Sequence, residues 1–148
     1  MKVCTCIKNP HYASQAINYL VKNGANICLH DERGNTALMT YLSSNSPEYT
    51  DISSVRLLAN EKTVNDANDF NSTPLLEALS HLVPPEYEIL EYLLQLGANP
   101  RIRNKNFTCA LTILENPSYD GYILENYKVN NKKVKQEFAK LLDKYVKR

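Results

Sequence analysis

Apolar residues recur at intervals of three and four in three stretches of this chain: Ala16, Ile17, Leu20 and Val21 within residues 14–22; Ile52, Val55, Leu58 and Ala59 within 52–59; Ile89, Tyr92, Leu93 and Leu96 within 88–96. That spacing gathers them on one face of a helix. Each stretch gives way to a run of about ten polar residues, too short for another helix and suited to a hairpin-like turn. Gly24 and Gly97 close the first and third stretches, where a helix C-cap needs a positive φ. Asp31 and Gly34 fall inside the first turn. New helices then open at Thr36-Ala37-Leu38 and Thr73-Pro74-Leu75. In these, threonine serves as N-cap and proline takes the first helical position, where its missing N–H is not needed.

The three units repeat in register. NYLVKNGANICLHDERGNTAL (18–38), VRLLANEKTVNDANDFNSTPL (55–75) and EYLLQLGANPRIRNKNFTCAL (91–111) start 37 and 36 residues apart and align without gaps. Leu20, Leu57 and Leu93 coincide, as do Leu38, Leu75 and Leu111. LVKNGAN (20–26), LLQLGAN (93–99), DERGNTAL (31–38) and NSTPLL (71–76) resemble the ankyrin repeat, a unit of about 33 residues that pairs two helices with a β-turn finger. The resemblance implies an all-α solenoid of stacked helix pairs with β-turn fingers, in three to four repeats with incomplete or modified terminal ones. We divide the single domain, 1–148, into a partial repeat 1–30, repeats 31–67 and 68–103, and a modified C-terminal capping repeat 104–148. Residues in excess of the family length fall between the helices, at Ser43–Thr50 and at His81–Glu86 with Pro84-Pro85. Lengthened, proline-bearing loops, together with LMTYL (38–42), look like the host-range ankyrin proteins of poxviruses.

Four departures qualify the pattern. Glu61-Lys62-Thr63 replaces Gly-Ala-Asn, so the second unit must end its helix without a glycine. Cys109-Ala110-Leu111 replaces Thr-Pro-Leu, and Phe107 stands where a turn glycine is expected. The opening helix of the first unit would have to fit within residues 1–9, which suggests either a short family member or a piece of a longer gene. The segment 134–148 resembles one more outer helix with Leu141-Leu142 in place of Leu93-Leu94, some dozen residues being inserted around Pro117 to Asn131. Val134, Phe138, Leu141, Leu142 and Tyr145 form its apolar stripe, and Lys133, Lys140, Lys144 and Lys147 lie off it, as a terminal cap with a polar outer face requires.

Charge changes the picture only locally. The net charge of +1 divides into 9 Lys/Arg against 14 Asp/Glu (net −5) in residues 1–127 and 8 against 2 (net +6) in 128–148. The basic end fits the solvated face of a cap helix, and nucleic acid is not the expected partner. The opening MKVCTCIKNP has no apolar core of a secretory signal, and no run is long enough to span a membrane. Cys4, Cys6, Cys28 and Cys109 match no disulfide or zinc spacing, which favours free thiols in a reducing cytoplasm. His11, His30 and His81 lie in different repeat positions and make no nucleophile–base set. Four glycines provide no phosphate loop, and Asp66 and Asp69 are too sparse for a calcium loop. Tyr19, Tyr41 and Tyr92 read as core rather than as a stacking platform. No catalytic residue, metal, cofactor or small-molecule substrate is expected.

A binding surface is what the residues leave. By register the finger tips are Glu32-Arg33, Asp69-Phe70 and Lys105-Asn106, and the inner-helix positions are Thr40, Glu77 and Ile113. Phe70 is the aromatic expected to stand in water or to fold back on a neighbouring finger. The family resemblance implies a non-enzymatic, monomeric scaffold that binds a protein, in the viral case a host protein of innate immunity or host range, in the host cytoplasm or the nucleus. The alternatives are a short inhibitor of a transcription factor, similar to IκB-like proteins, and a remnant of a longer ankyrin/F-box gene, although 128–148 does not resemble an F-box.

Overall fold

Short amphipathic helices joined by polar turns can bury their apolar faces only by packing on one another, and this chain does so in two stacks. The computed structural model describes residues 10–44, 50–81, 86–113 and 131–146. Among these, all regular structure is helical: α1 (Pro10–Lys22), α2 (Ala37–Ser44), α3 (Ile52–Leu58), α4 (Pro74–His81), α5 (Tyr87–Gln95), α6 (Ala110–Ile113) and α7 (Asn131–Val146). The inner stack runs α2–α4–α6 and the outer stack α1–α3–α5–α7, while α2 with α3 and α4 with α5 form the helix pairs. One continuous core threads both stacks, from Ile17 through Leu38, Leu42, Leu58, Leu75, Leu79, Leu90 and Leu93 to Phe138 and Leu142.

The helix ends follow the local chemistry of the sequence. Gly24 (φ +86°) and Gly97 (φ +100°) each take the left-handed conformation. The residue after each then closes a six-residue loop, Ala25 N–H donating to Leu20 O at 3.0 Å and Ala98 N–H to Leu93 O at 2.9 Å. This is the Schellman end, which satisfies carbonyls the helix leaves open. The second unit lacks the glycine and stops differently. Ala59 turns extended after α3, and the Asn60 side chain accepts from the N–H groups of Lys62 (2.8 Å) and Thr63 (3.0 Å) to start the next turn. Asp51 caps the other end of α3 through Ser54 N–H at 3.0 Å. The buried Tyr41 hydroxyl holds that cap, donating to the Asp51 carboxylate at 3.0 Å and accepting from Asp51 N–H at 3.1 Å. Burial pushes the Tyr41 phenol up to about 12.

Helix α7 covers the end of the stack. Phe138 and Leu142 are buried, Leu141 and Tyr145 pack partly against the core, and Lys140 and Lys144 face outward. Lys144 Nζ (2.6 Å) and Tyr145 Oη (3.1 Å) both reach Glu91 on α5. The Lys144 bond, with that of Tyr145, holds the Glu91 carboxyl below its ordinary value. The side chains of Val134 and Lys133, and the whole of Lys147, lie outside the described residues, as do Cys4, Cys6, Pro84-Pro85, Pro117 and the opening segment 1–9.

One core assignment is corrected. Tyr41 is buried and Tyr92 partly so, but Tyr19 is 68% exposed. Its place on α1 turns it away from α3, the only helix among the described residues against which α1 packs extensively.

Because Leu93 is fully buried where α5 meets the core, Leu93→Ala should destabilise the fold by about 2–5 kcal/mol. Denaturant melts of the two proteins measure this, and a loss under about 1 kcal/mol would mean the site collapses around the smaller side chain.

Candidate functional site

Three fingers project between the helix pairs, and one side chain frames each in the same way. Asp31 Oδ1 accepts from Arg33 N–H (2.9 Å) and Asn35 N–H (2.8 Å). Asn68 Oδ1 accepts from Phe70 N–H (3.0 Å) and Ser72 N–H (3.0 Å), and Asn104 Oδ1 from Asn106 N–H (3.0 Å) and Thr108 N–H (3.0 Å). The framing residue's own N–H donates across the hairpin to Asn35, Ser72 or Thr108. A short side-chain acceptor two residues before the tip is what this turn needs, since it offers the tip N–H groups a partner that no strand supplies. At Asp31 those N–H groups of Asn35 and Arg33 outweigh the upward pull of burial and keep the carboxyl below its ordinary value.

The fingers are laddered through the backbone. Asp69 N–H donates to Arg33 O at 3.0 Å, and Lys105 N–H donates to Phe70 O at 2.9 Å. The Asn71 side chain donates to Arg103 O, and the Asn68 amide donates to Asn35 Oδ1 at 2.9 Å. Gly34 is required by the first of these contacts as well as by its φ of +75°, because a Cβ there would lie 3.1 Å from Asp69 N. The equivalent positions are Asn71 (φ +58°) and Phe107 (φ +60°). Asparagine tolerates this conformation, whereas an aromatic residue rarely adopts it.

All six tip residues, Glu32, Arg33, Asp69, Phe70, Lys105 and Asn106, are exposed, so the fold brings them to one edge. Phe70 is 61% exposed and does not fold back onto a neighbouring finger. Phe107, which the register marks only as a missing glycine, is 78% exposed beside it on the third finger. The inner-helix positions fare less uniformly. Thr40 on α2 is half-buried, and the Ile113 side chain lies outside the described residues.

Glu77 is corrected outright. Expected on an exposed inner face, it is 9% exposed and forms part of the frame. Its Oε1 accepts from the Asn68 amide at 3.3 Å, and its Oε2 lies 3.3 Å from His81 Nε2. Burial would raise this carboxyl, but hydrogen bonds from His81, Ser72 and Asn68 prevail and hold it below its ordinary value. Register makes Glu77 the equivalent of Thr40. The asparagine that meets it lies nine residues back, on the preceding finger.

Among the described residues no three of His, Cys, Asp and Glu are grouped to hold a metal, and no helix is long and apolar enough to cross a membrane. His30 pairs with Asp66 at 3.3 Å between repeats, and His81 with Glu77 within one. Cys28 and Cys109 are free thiols. Cys109 takes the N-cap place of α6, where Thr112 Oγ1 accepts its N–H at 3.1 Å, the reverse of the bond by which Thr36 and Thr73 cap the other inner helices.

A family model described as ankyrin repeats, in three copies, matches residues 4–104. An ankyrin repeat protein of Acanthamoeba polyphaga mimivirus is 36% identical over 110 residues, which are 74% of this chain and 17% of the relative. Among solved structures, a chain from the complex of the Bdellovibrio bacteriovorus predatory endopeptidase Bd0816 with immunity protein Bd3460 superposes with a TM-score of 0.57 at 20% identity. That match covers 90% of this chain and 58% of the other, a likeness of fold.

Two substitutions test the frame. Since the folded carboxyl of Glu77 titrates below its ordinary value of 4.5, its contribution is complete above that pH and is lost as the pH falls through the folded value. Glu77→Gln should therefore flatten the acid side of the stability profile below pH 4.5 relative to the parent, as read by urea melts at a series of pH values. Phe107→Gly should raise stability by about 0.5–1 kcal/mol, the relief of left-handed strain exceeding the entropy of the added glycine.

Proposed function

This chain belongs to the ankyrin-repeat family, and from that premise we propose that it is a non-enzymatic scaffold whose finger edge binds a host protein on behalf of a virus. Ankyrin repeats bind protein partners, and their helices serve chiefly to hold the fingers apart at a constant spacing. The observation that carries the reading here is Phe70. Its backbone is fully employed, N–H to Asn68 and carbonyl to Lys105, while most of its ring stands in water. A large exposed aromatic on a rigid backbone is the kind of anchor that interfaces use.

The mimivirus relative supports a viral setting, and the host cytoplasm is the compartment such a scaffold would work in. The narrower likeness to poxvirus host-range proteins rests on the loops at 43–50 and 81–86 and on Leu38–Leu42. It points to interference with innate immunity or control of host range as the purpose of the contact.

Affinity capture from host lysate followed by mass spectrometry identifies the partner, and titration of variants against it locates the contact. Phe70→Ala should weaken binding about tenfold or more with the fold intact, as for an aromatic hot spot. Lys140→Glu, on the exposed side of the cap helix, should change affinity little. A silent Phe70→Ala, together with a large salt-sensitive loss from Lys140→Glu, would move the contact to the basic helix and defeat the proposal.

A further inference from the structure

The ladder of fingers is electrically uneven. The first finger carries Asp31, Glu32 and Arg33, and the second carries Asp66 and Asp69. The third carries Arg101, Arg103 and Lys105 with no acidic residue between Asn99 and Ile113. All three cations are exposed, and none forms an ion pair with an acidic side chain among the described residues. Like charges on one finger repel one another, and among the described residues no carboxylate pairs with them. On the same finger Phe107 holds a strained backbone conformation while exposing most of its ring, and Arg103 Nη1 donates to the Phe107 carbonyl at 2.8 Å, holding the cation on that residue's backbone. Phe70 joins them through the Lys105–Phe70 backbone bond.

We infer that the third finger is the seat of an acidic segment of the protein partner. In this arrangement Arg101, Arg103 and Lys105 receive the carboxylates, and Phe107 and Phe70 take an apolar side chain set among them. The inference rests on the reading of the finger edge as a protein-binding surface and names the chemistry that surface selects. Guanidinium groups pair with carboxylates through two parallel N–H donors, so two arginines and a lysine specify an acidic run better than any neutral one. A nucleic acid also offers anions and stacking faces. Its backbone, however, would continue along the ladder onto Asp69 and Asp66, whereas an acidic stretch of peptide can be confined to the third finger. Strain retained at an exposed aromatic is also what a binding position shows, because the fold alone would be better served by glycine at 107.

The test is selection of a displayed library of random short peptides on the intact chain, followed by titration of the enriched peptides. The expected enrichment is for Asp and Glu around one Phe, Leu or Tyr, with amide shifts of the isotope-labelled protein confined to Phe70 and residues 101–108. The triple change R101E, R103E, K105E should abolish that binding, and raising the salt from about 0.05 M to about 0.5 M should weaken it at least several-fold. Phe107→Gly should weaken it about tenfold or more while raising the melting temperature, a combination that a purely structural residue would not give. Enriched peptides that map to the fingers, lose affinity with Phe70→Ala and ignore the charge reversal would overturn this inference and leave the finger-edge reading intact. A folded chain that enriches nothing would overturn both. Binding of an oligothymidylate probe by Arg101, Arg103 and Lys105 more tightly than any enriched peptide would overturn it in favour of single-stranded nucleic acid.

Discussion

Every part of this structure depends on one constraint: a pair of helices seven to nine residues long cannot bury its apolar face by itself. Helix α4 has Leu75, Leu76, Ala78 and Leu79 all buried, yet its eight residues reach that state only because α2 and α6 flank it and α5 backs it. The same holds for α5 between α3 and α7. Burial is therefore shared between neighbours, which makes the core a continuous thread. Helix α7 carries that thread beyond α5. It is a long outer helix that puts Phe138 and Leu142 inside and anchors itself to Glu91 through Lys144 and Tyr145.

The fingers solve a different problem. Each must turn the chain through a hairpin in water without a sheet to receive its N–H groups, and a single acceptor at Asp31, Asn68 or Asn104 does this for the two that matter. Because frame and ladder together occupy much of the tip backbone, the tip side chains are relieved of structural duty. That is why Arg33, Phe70 and Asn106 can differ so widely at equivalent places without disturbing the turn, and why the edge is suited to recognition. The second frame is reinforced from below. Asn68 bonds upward to Asn35 and inward to Glu77, so a buried carboxylate on α4 steadies the finger that presents Phe70.

Position 107 shows where the rules of the repeat give way. Gly34 and Asn71 meet the left-handed turn with residues that tolerate it, while Phe107 meets it with an aromatic ring that is left in solvent. The neighbouring Arg103 compensates in part by donating to the Phe107 carbonyl. Strain, exposure and a cluster of cations with no acidic partner among the described residues coincide on this finger.

The sequence by itself determined the helices, their order and the repeat, because apolar spacing, glycine caps and threonine starts are local signals that act within a few residues. It also placed Glu32, Arg33, Asp69, Phe70, Lys105 and Asn106 at turn tips, since a polar run between two helices has nowhere else to go. Only the tertiary structure decided which side chains of those elements meet water. Tyr19 shares the helical spacing of its buried neighbours but lies on a face that α3 does not reach. Glu77 reads as a solvated helix carboxylate, but its near neighbours Asn68, on the preceding finger, and His81, one turn on, enclose it once finger and helix fold together. The ladder from Arg33 to Asp69 and from Phe70 to Lys105 joins residues 35 or 36 positions apart. No local pattern specifies such a bond, because it exists only once the helix pairs beneath the fingers have stacked.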